Sequence, residues 1–258
     1  QTTGYILLST NVGNVLNKGM ELSVTAVPVE TNDFRWDLTL NLSGNRGRVE
    51  NLLTGQDVLY VTDVQIGSVK AASFNNGIFM GISGTEWSRD EDGKVILDWN
   101  TGMPTSNNLA TNQVGNREPT FVGGLNNSLQ YKNLNLSFLL DIRVGGDIYN
   151  GTDFYMTSMG MSKRSLDRTS ITTTGVAKNP ATNEFEDKTY TITDKFLIEE
   201  YWQTYYTLES ANYITNTNWL RLRTISLSYS LPMNIISRQN VIKGLTATLA
   251  GNNLWLLT

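Results

Sequence analysis

Residues 34–43 read FRWDLTLNLS and residues 134–144 read LNLSFLLDIRV. In the first stretch Phe34, Trp36, Leu38, Leu40 and Leu42 alternate with Arg35, Asp37, Thr39, Asn41 and Ser43. In the second, Leu134, Leu136, Phe138, Leu140, Ile142 and Val144 oppose Asn135, Ser137, Leu139, Asp141 and Arg143. A period of two sends successive side chains to opposite faces, so each stretch reads as a strand with one apolar and one polar face. The second run is about 11 residues long, the length a tilted strand needs to cross a bilayer.

Working outward, each strand finds a hairpin partner. Met20, Leu22, Val24 and Ala26 alternate with Glu21, Ser23, Thr25 and Val27, and a short polar turn around 29–33 joins them to the first stretch. Phe121, Gly123, Leu125, Leu129 and Tyr131 share a parity ahead of the tight Tyr131-Lys132-Asn133 turn. A third pair sets Ile225, Leu227, Tyr229 and Leu231 against Leu245, Ala247 and Leu249; Pro232 ends its first strand because it cannot donate to a ladder. A helical turn is expected over Met233 to Gln239. The strands are therefore expected near 19–28, 33–44, 119–131, 133–145, 218–231 and 244–256.

The connections are lopsided: short turns at one end, segments 49–118 and 147–217 at the other. Structureless loops of such length are rare in compact domains and usually functional. Short turns on one rim and long loops on the other suit an outer-membrane barrel. A secreted β-sandwich, acting as a carbohydrate-binding or adhesive module, is the alternative, because its strands alternate too. Against it stand the long strands, a second face of Thr, Ser, Asn and Gln, and aromatics near strand ends (Phe34, Trp36, Phe121, Tyr131, Trp219, Tyr229), where a lipid-interface girdle would lie. One strand argues back. Arg221 and Arg223 share parity with Ile225 and Leu227, so a lipid-facing register demands that both sit above the apolar band.

Composition narrows the chemistry. Among 258 residues there is no His and no Cys, which excludes Ser-His-Asp and Cys-His nucleophile systems, disulfides and thiolate metal sites. The formal net charge of −4 supplies no cationic field for nucleic acid. No run is apolar enough for a transmembrane helix, and Gln1 opens without a basic and apolar leader, so further residues upstream are expected for an exported chain.

The words carried by this pattern resemble those of SusC/RagA-type TonB-dependent outer-membrane transporters. Asn11-Val12-Gly13 followed by Asn17-Lys18-Gly19-Met20-Glu21-Leu22 resembles a family signature, as does Trp36 followed by Asn41-Leu42-Ser43-Gly44-Asn45-Arg46. Arg89-Asp90-Glu91-Asp92-Gly93-Lys94, Gly102-Met103-Pro104 and Gly115-Asn116-Arg117-Glu118-Pro119 follow in the family's order. So do Gly145-Gly146-Asp147-Ile148-Tyr149-Asn150, Trp219-Leu220-Arg221-Leu222-Arg223 running into Leu227-Ser228-Tyr229-Ser230-Leu231-Pro232, and Gly251-Asn252-Asn253-Leu254. The resemblance implies an all-β fold, an antiparallel transmembrane barrel segment of about six strands within a 22-stranded, plugged barrel. It also implies a SusD-like surface lipoprotein as lid, drive through TonB, and import of glycans or oligopeptides across the cell outer membrane. No plug, TonB-contacting box or final C-terminal strand is found, so those parts are expected outside this sequence.

Candidate sites are weighed one by one. Asp90-Glu91-Asp92-Gly93 lacks the later ligands of a calcium loop and reads as a polar turn. Glu199 and Glu200, being adjacent, offer no converging acid/base pair. Trp87, Trp99, Trp202, Tyr205 and Tyr206 fall in the two long segments; rings with polar edges suit sugar or peptide contacts, although packing of the loops themselves explains them as well. Thr39, Asn41, Ser137, Asp141, Thr224 and Ser226 are expected to face an aqueous lumen. No enzyme activity, cofactor or metal is called for, and outer-membrane lipid is the expected surrounding.

Overall fold

The computed structural model describes residues 11–62, 65–166, 168–232 and 244–258, so the helical turn expected over Met233 to Gln239 lies outside the described residues. The first half of the chain holds β1 (Gly13–Glu30), β2 (Phe34–Leu52), β3 (Val58–Tyr60), β4 (Lys70–Phe74), β5 (Gly81–Gly84), β6 (Ile96–Leu97), β7 (Asn112–Asn116) and β8 (Phe121–Tyr131). There follow β9 (Leu134–Val144), β10 (Asp147–Tyr149), helix α1 (Gly151–Ser158), β11 (Ile171–Lys178), β12 (Phe185–Ile192) and helix α2 (Lys195–Glu200). The chain closes with β13 (Ile214–Asn216), β14 (Trp219–Ser230) and β15 (Thr246–Leu257).

Two compact units divide these elements. One comprises Asn17–Arg46, Glu118–Gly146 and the described part of Asn216–Thr258. Its sheet runs β1-β2-β8-β9-β14-β15. The pairings from β2 to β15 are antiparallel, and register carries the alternation across the sheet. Phe34, Tyr131, Leu134 and Tyr229 form one apolar row; Asp37, Ser128, Ser137 and Ser226 form a polar one. Side-chain hydrogen bonds tie the polar face together: Ser23 Oγ donates to Asn41 Oδ1 at 2.7 Å, and the hydroxyls of Ser137 and Ser226 meet at 2.8 Å. Each such cross-strand pair contributes on the order of 0.2–1 kcal/mol.

Within this unit, among the described residues, no second layer covers the apolar face. Every buried hydrophobic side chain among the described residues lies in the other unit, whereas Met20 is 83% exposed and Leu249 76%. The β-sandwich alternative requires those positions to be turned into a dry core, and they are not. One polar residue stands in the apolar rows: Asn127, opposite Leu38 and Phe138, is 5% exposed and accepts a 3.2 Å hydrogen bond from the indole N–H of Trp36.

The strand that argued against a lipid-facing register corrects the expectation rather than the register. β14 has a β-bulge between Leu222 and Thr224. On its far side Leu220 and Leu222 oppose Ile142 and Leu140, so they continue the apolar rows, while Trp219 and Arg221 oppose Arg143 and Asp141 on the polar face. Both arginines therefore serve the polar face instead of sitting outward above an apolar band, and Trp219 leaves the expected girdle. An extra residue inverts the phase of everything beyond it, because side chains alternate with period two.

The second unit takes in residues up to Leu16, Gly47–Arg117 and Asp147–Thr215. Here the long connections build sheets of their own: β3-β4-β5-β7, β12-β11-β6, and the pair β10-β13. Helix α1 is capped by the Asn150 side chain, which accepts from Asp153 N; α2 is capped by Asp194, which accepts from Phe196 N and Leu197 N. Both caps satisfy amides that the first helical turn leaves unpaired. A wider, π-type turn over Tyr201–Tyr205 continues α2. Met103, Ile171, Ile192, Ile198 and Tyr201 form the buried cluster, with Trp202, Tyr205 and Tyr206 packed against it.

Candidate functional site

The polar face of the six-stranded sheet collects the first set of expected residues. Asn41 stands opposite Gly124 and Gly124 opposite Asp141; Thr39 opposes Asn126, and Thr224 and Ser226 oppose Leu139 and Ser137. All six therefore share one face. A groove of about 610 Å³ opens there over Ser23, Asn41, Gly124, Asp141, Trp219 and Arg223. Gly124 adds no side chain to the floor; a Cβ at that position would already touch Asp141 Oδ1 at 3.6 Å.

Beside it lies a second concavity, also about 610 Å³, over Asp141, Arg221, Arg223, Thr224, Asn252 and Asn253. Arg223 Nη1 bonds Asp141 Oδ2 at 3.1 Å. The Arg221 guanidinium stacks 4.3 Å from the centre of the Trp219 ring, and its Nε is shielded from solvent without a hydrogen-bond partner among the described residues. Reading the sequence in one phase through β14 missed this pair. The signal was present, since Leu220 and Leu222 are even-numbered while Ile225 and Leu227 are odd.

Four of the five expected aromatics come together in the loop-built unit. Tyr206 is the hub, 4.9 Å from Trp202, 6.0 Å from Tyr201, 6.1 Å from Tyr213 and 6.4 Å from Trp87, ring centre to ring centre. Arg164 donates to the Tyr206 hydroxyl at 2.8 Å and pairs with Asp153. Tyr205 packs on the same cluster, and its carbonyl accepts the Trp87 indole N–H at 2.8 Å. Trp99 makes no ring contact with the other four among the described residues; Lys188 Nζ lies 4.3 Å over its ring. Burial pushes the phenols of Tyr201 and Tyr213 up to about 12, so both are neutral at physiological pH.

A carboxylate clamp holds one edge of this cluster. Glu209, with its side chain 8% exposed, accepts the Trp87 backbone N–H at 2.7 Å and an Arg89 nitrogen at 3.2 Å. Behind it the hydroxyls of Ser68, Thr85 and Ser210 meet within 3.3 Å of one another. Burial, and then the Glu209 charge, raise the Glu86 carboxyl above its ordinary value. Asp90 closes a tight turn, its Oδ1 accepting the N–H groups of Asp92 and Lys94.

No family model matches the chain. Among curated proteins, TonB-dependent receptor P3 of Formosa agariphila is 23% identical over 272 residues, covering 96% of this chain and 25% of that protein. The TonB-dependent receptor SusC of Bacteroides thetaiotaomicron is 28% identical over 177 residues, covering 62% of this chain and 17% of that protein. The RagAB peptide importer in its closed-closed state superposes with a TM-score of 0.64 at 19% identity, over 99% of this chain and 27% of that one. The likeness is to TonB-dependent receptors of the SusC/RagA type. It extends over nearly the whole chain, which spans about a quarter of the length of the Formosa agariphila receptor. The fold is that of an antiparallel barrel wall, with rows of hydrocarbon side chains along one face. In one SusC/RagA-like motif, Gly145, at a φ of +80°, turns the chain out of β9 so close to Thr120 that a Cβ would lie 2.5 Å from its hydroxyl. The relatives are receptors and transporters rather than enzymes.

Proposed function

We propose that this chain forms part of a TonB-dependent outer-membrane importer of glycans or oligopeptides, supplying barrel wall and substrate-facing loops. The observation that carries the reading is the sheet itself. Its apolar face is uncovered among the described residues while its polar face is cross-linked between strands by hydroxyls, amides and the Arg223–Asp141 pair, as a wall between hydrocarbon and an aqueous interior requires. Thr39, Asn41, Ser137, Asp141, Thr224 and Ser226 would face the lumen and hold a plug through hydrogen bonds. The loop-built unit would meet substrate and a SusD-like lipoprotein lid, with Trp87, Trp99, Trp202, Tyr205 and Tyr206 as stacking surfaces. Outer-membrane lipid would surround the wall, TonB would act through the plug, and neither nucleic-acid binding nor catalysis forms part of the role.

The experiment is uptake by cells carrying the complete receptor. Removal of the gene should abolish growth on the imported glycan or peptide, and deletion of TonB should do the same. For the aromatics, a Trp202→Ala, Tyr205→Ala receptor that takes up and binds ligand as the parent does would remove them from the substrate surface.

A further inference from the structure

One pair of cations stays on the hydrocarbon face of the sheet. Across β1 and β2, Ser23 meets Asn41 and Thr25 meets Thr39 on the polar side, and Gly19 lies against Asn45. The same register, followed toward the end where β2 runs on into the 49–118 segment, sets Leu22 beside Leu42, Met20 beside Gly44 and Lys18 beside Arg46. β2 keeps its phase over this stretch: Leu42 pairs with Gly123, and Gly44 comes next against Thr120 and Phe121. Period two therefore holds Lys18 and Arg46 on the face of the leucines, and both are exposed.

Like charges set directly opposite each other on two strands repel, and an anion bridging them turns the repulsion into attraction. Their height suits such an anion. From Phe34, at the short-turn end, to Arg46 is about 12 residues, roughly 40 Å of strand; a tilt of about 40° makes this roughly 30 Å of height against an apolar band of about 25 Å. The two cations clear the band and stand at headgroup level. A groove of about 600 Å³ takes in Lys18, Met20, Leu42, Gly44, Arg46 and Phe121. Gly44 adds no side chain to its floor, so the furrow runs from the cations down onto the hydrocarbon rows.

We infer that Lys18 and Arg46 form a site for the headgroup phosphate of an anionic lipid in the outer leaflet, with an acyl chain lying along the groove over Gly44. The inference rests on the barrel-wall reading and gives the surrounding lipid a fixed point of contact. A lipid is the occupant rather than a free anion, because the hydrocarbon rows begin directly below the cations and a lipid covers both.

The test uses the complete receptor in detergent, with phosphatidic acid or phosphatidylcholine of the same acyl chains added and bound lipid counted by native mass spectrometry. The first phosphatidic acid should bind at least about tenfold more tightly than phosphatidylcholine, the effect of two cations at a lipid surface. Lys18→Gln with Arg46→Gln should bring phosphatidic acid down to the level of phosphatidylcholine and leave the latter unchanged. Arg46→Lys, which keeps the charge, should retain most of the preference. Folding is checked by heat-modifiable gel mobility; if the double variant does not fold, Arg46→Gln against Arg46→Lys carries the test. Equal binding of the two lipids, a preference untouched by the substitutions, or an equal loss of both lipids overturns the inference. Displacement of phosphatidic acid by millimolar inorganic phosphate also overturns it, since the site would then take a free anion. A receptor that imports normally yet shows no lipid preference leaves the importer reading standing without the inference. A complete receptor that is monodisperse in water without detergent overturns both.

Discussion

Arg223 and Asp141 meet at 3.1 Å across a register shift, and the pair marks where β14 changes phase. Before the shift the even-numbered residues Leu220 and Leu222 join the apolar rows; after it the odd-numbered Ile225 and Leu227 do. A single phase would send both arginines to the apolar face; the shift turns both toward the polar one. The bulge places the cations where their charge can be solvated.

The phase change makes Arg221 and Leu222 opposites. Leu222→Arg places a cation among hydrocarbon rows and should destabilise the barrel by about 1–4 kcal/mol, depending on its depth. Arg221→Leu should cost less, because it removes only a ring stack on the polar face. Urea titration of the receptor in lipid vesicles compares the two; a greater loss from Arg221→Leu would mean that the strand keeps a single phase.

Trp36 and Asn127 form a second mutually dependent pair. Trp36→Phe keeps an aromatic ring in the apolar row but leaves Asn127 Oδ1 buried without its donor, a loss of roughly 1–3 kcal/mol. Trp36→Phe combined with Asn127→Leu should recover most of it, since an apolar pair needs no donor. A double-mutant cycle on the same unfolding signal gives the coupling; additive losses would show that the indole does not serve the amide.

Glu86 supplies a pH dependence. Its folded pKa is raised by burial and by Glu209, so the charged form is less welcome in the folded unit than in the unfolded chain. The resulting penalty is fully present above the folded pKa and disappears as pH falls through it toward the unfolded value. Glu86→Gln should therefore slow hydrogen exchange of the amides around Thr85 to Arg89 at neutral pH, with the advantage shrinking through the acidic carboxylate range. An advantage that is constant with pH would assign the effect to shape rather than to charge.

How far the sequence could be read depends on how local each signal is. Alternation in 34–43 and 134–144 is a property of neighbours, and the sheet keeps both faces as that alternation implies. The bulge was legible only as a change of parity between Leu222 and Ile225, which a single-phase reading passes over. Asn127 broke the apolar rows for a reason set by Trp36, a residue 91 positions away. The long connections were the least legible, because their sheets pair segments distant in sequence, such as β6 with β11. Even there, local signals existed: Asn150 and Asp194 each stand before a run that becomes helical, as a cap should. The aromatics Trp202, Tyr205 and Tyr206 could be picked out by type, but their convergence on Tyr201 and Ile198 depends on the fold.

Single cysteines, placed in a receptor from which any others have been removed, test the central claim most directly; these 258 residues contain none. Substituted one at a time along 134–144 and 219–230 in the complete receptor in lipid vesicles, and spin-labelled, each reports its accessibility to oxygen in hydrocarbon and to a nickel chelate in water. Positions 134, 136, 138, 140 and 142 should favour oxygen and their odd neighbours nickel, and along β14 the oxygen preference should pass from even to odd numbers on crossing residue 223. Water-facing labels at the even positions of β9, or an alternation that runs through residue 223 unbroken, would contradict the account.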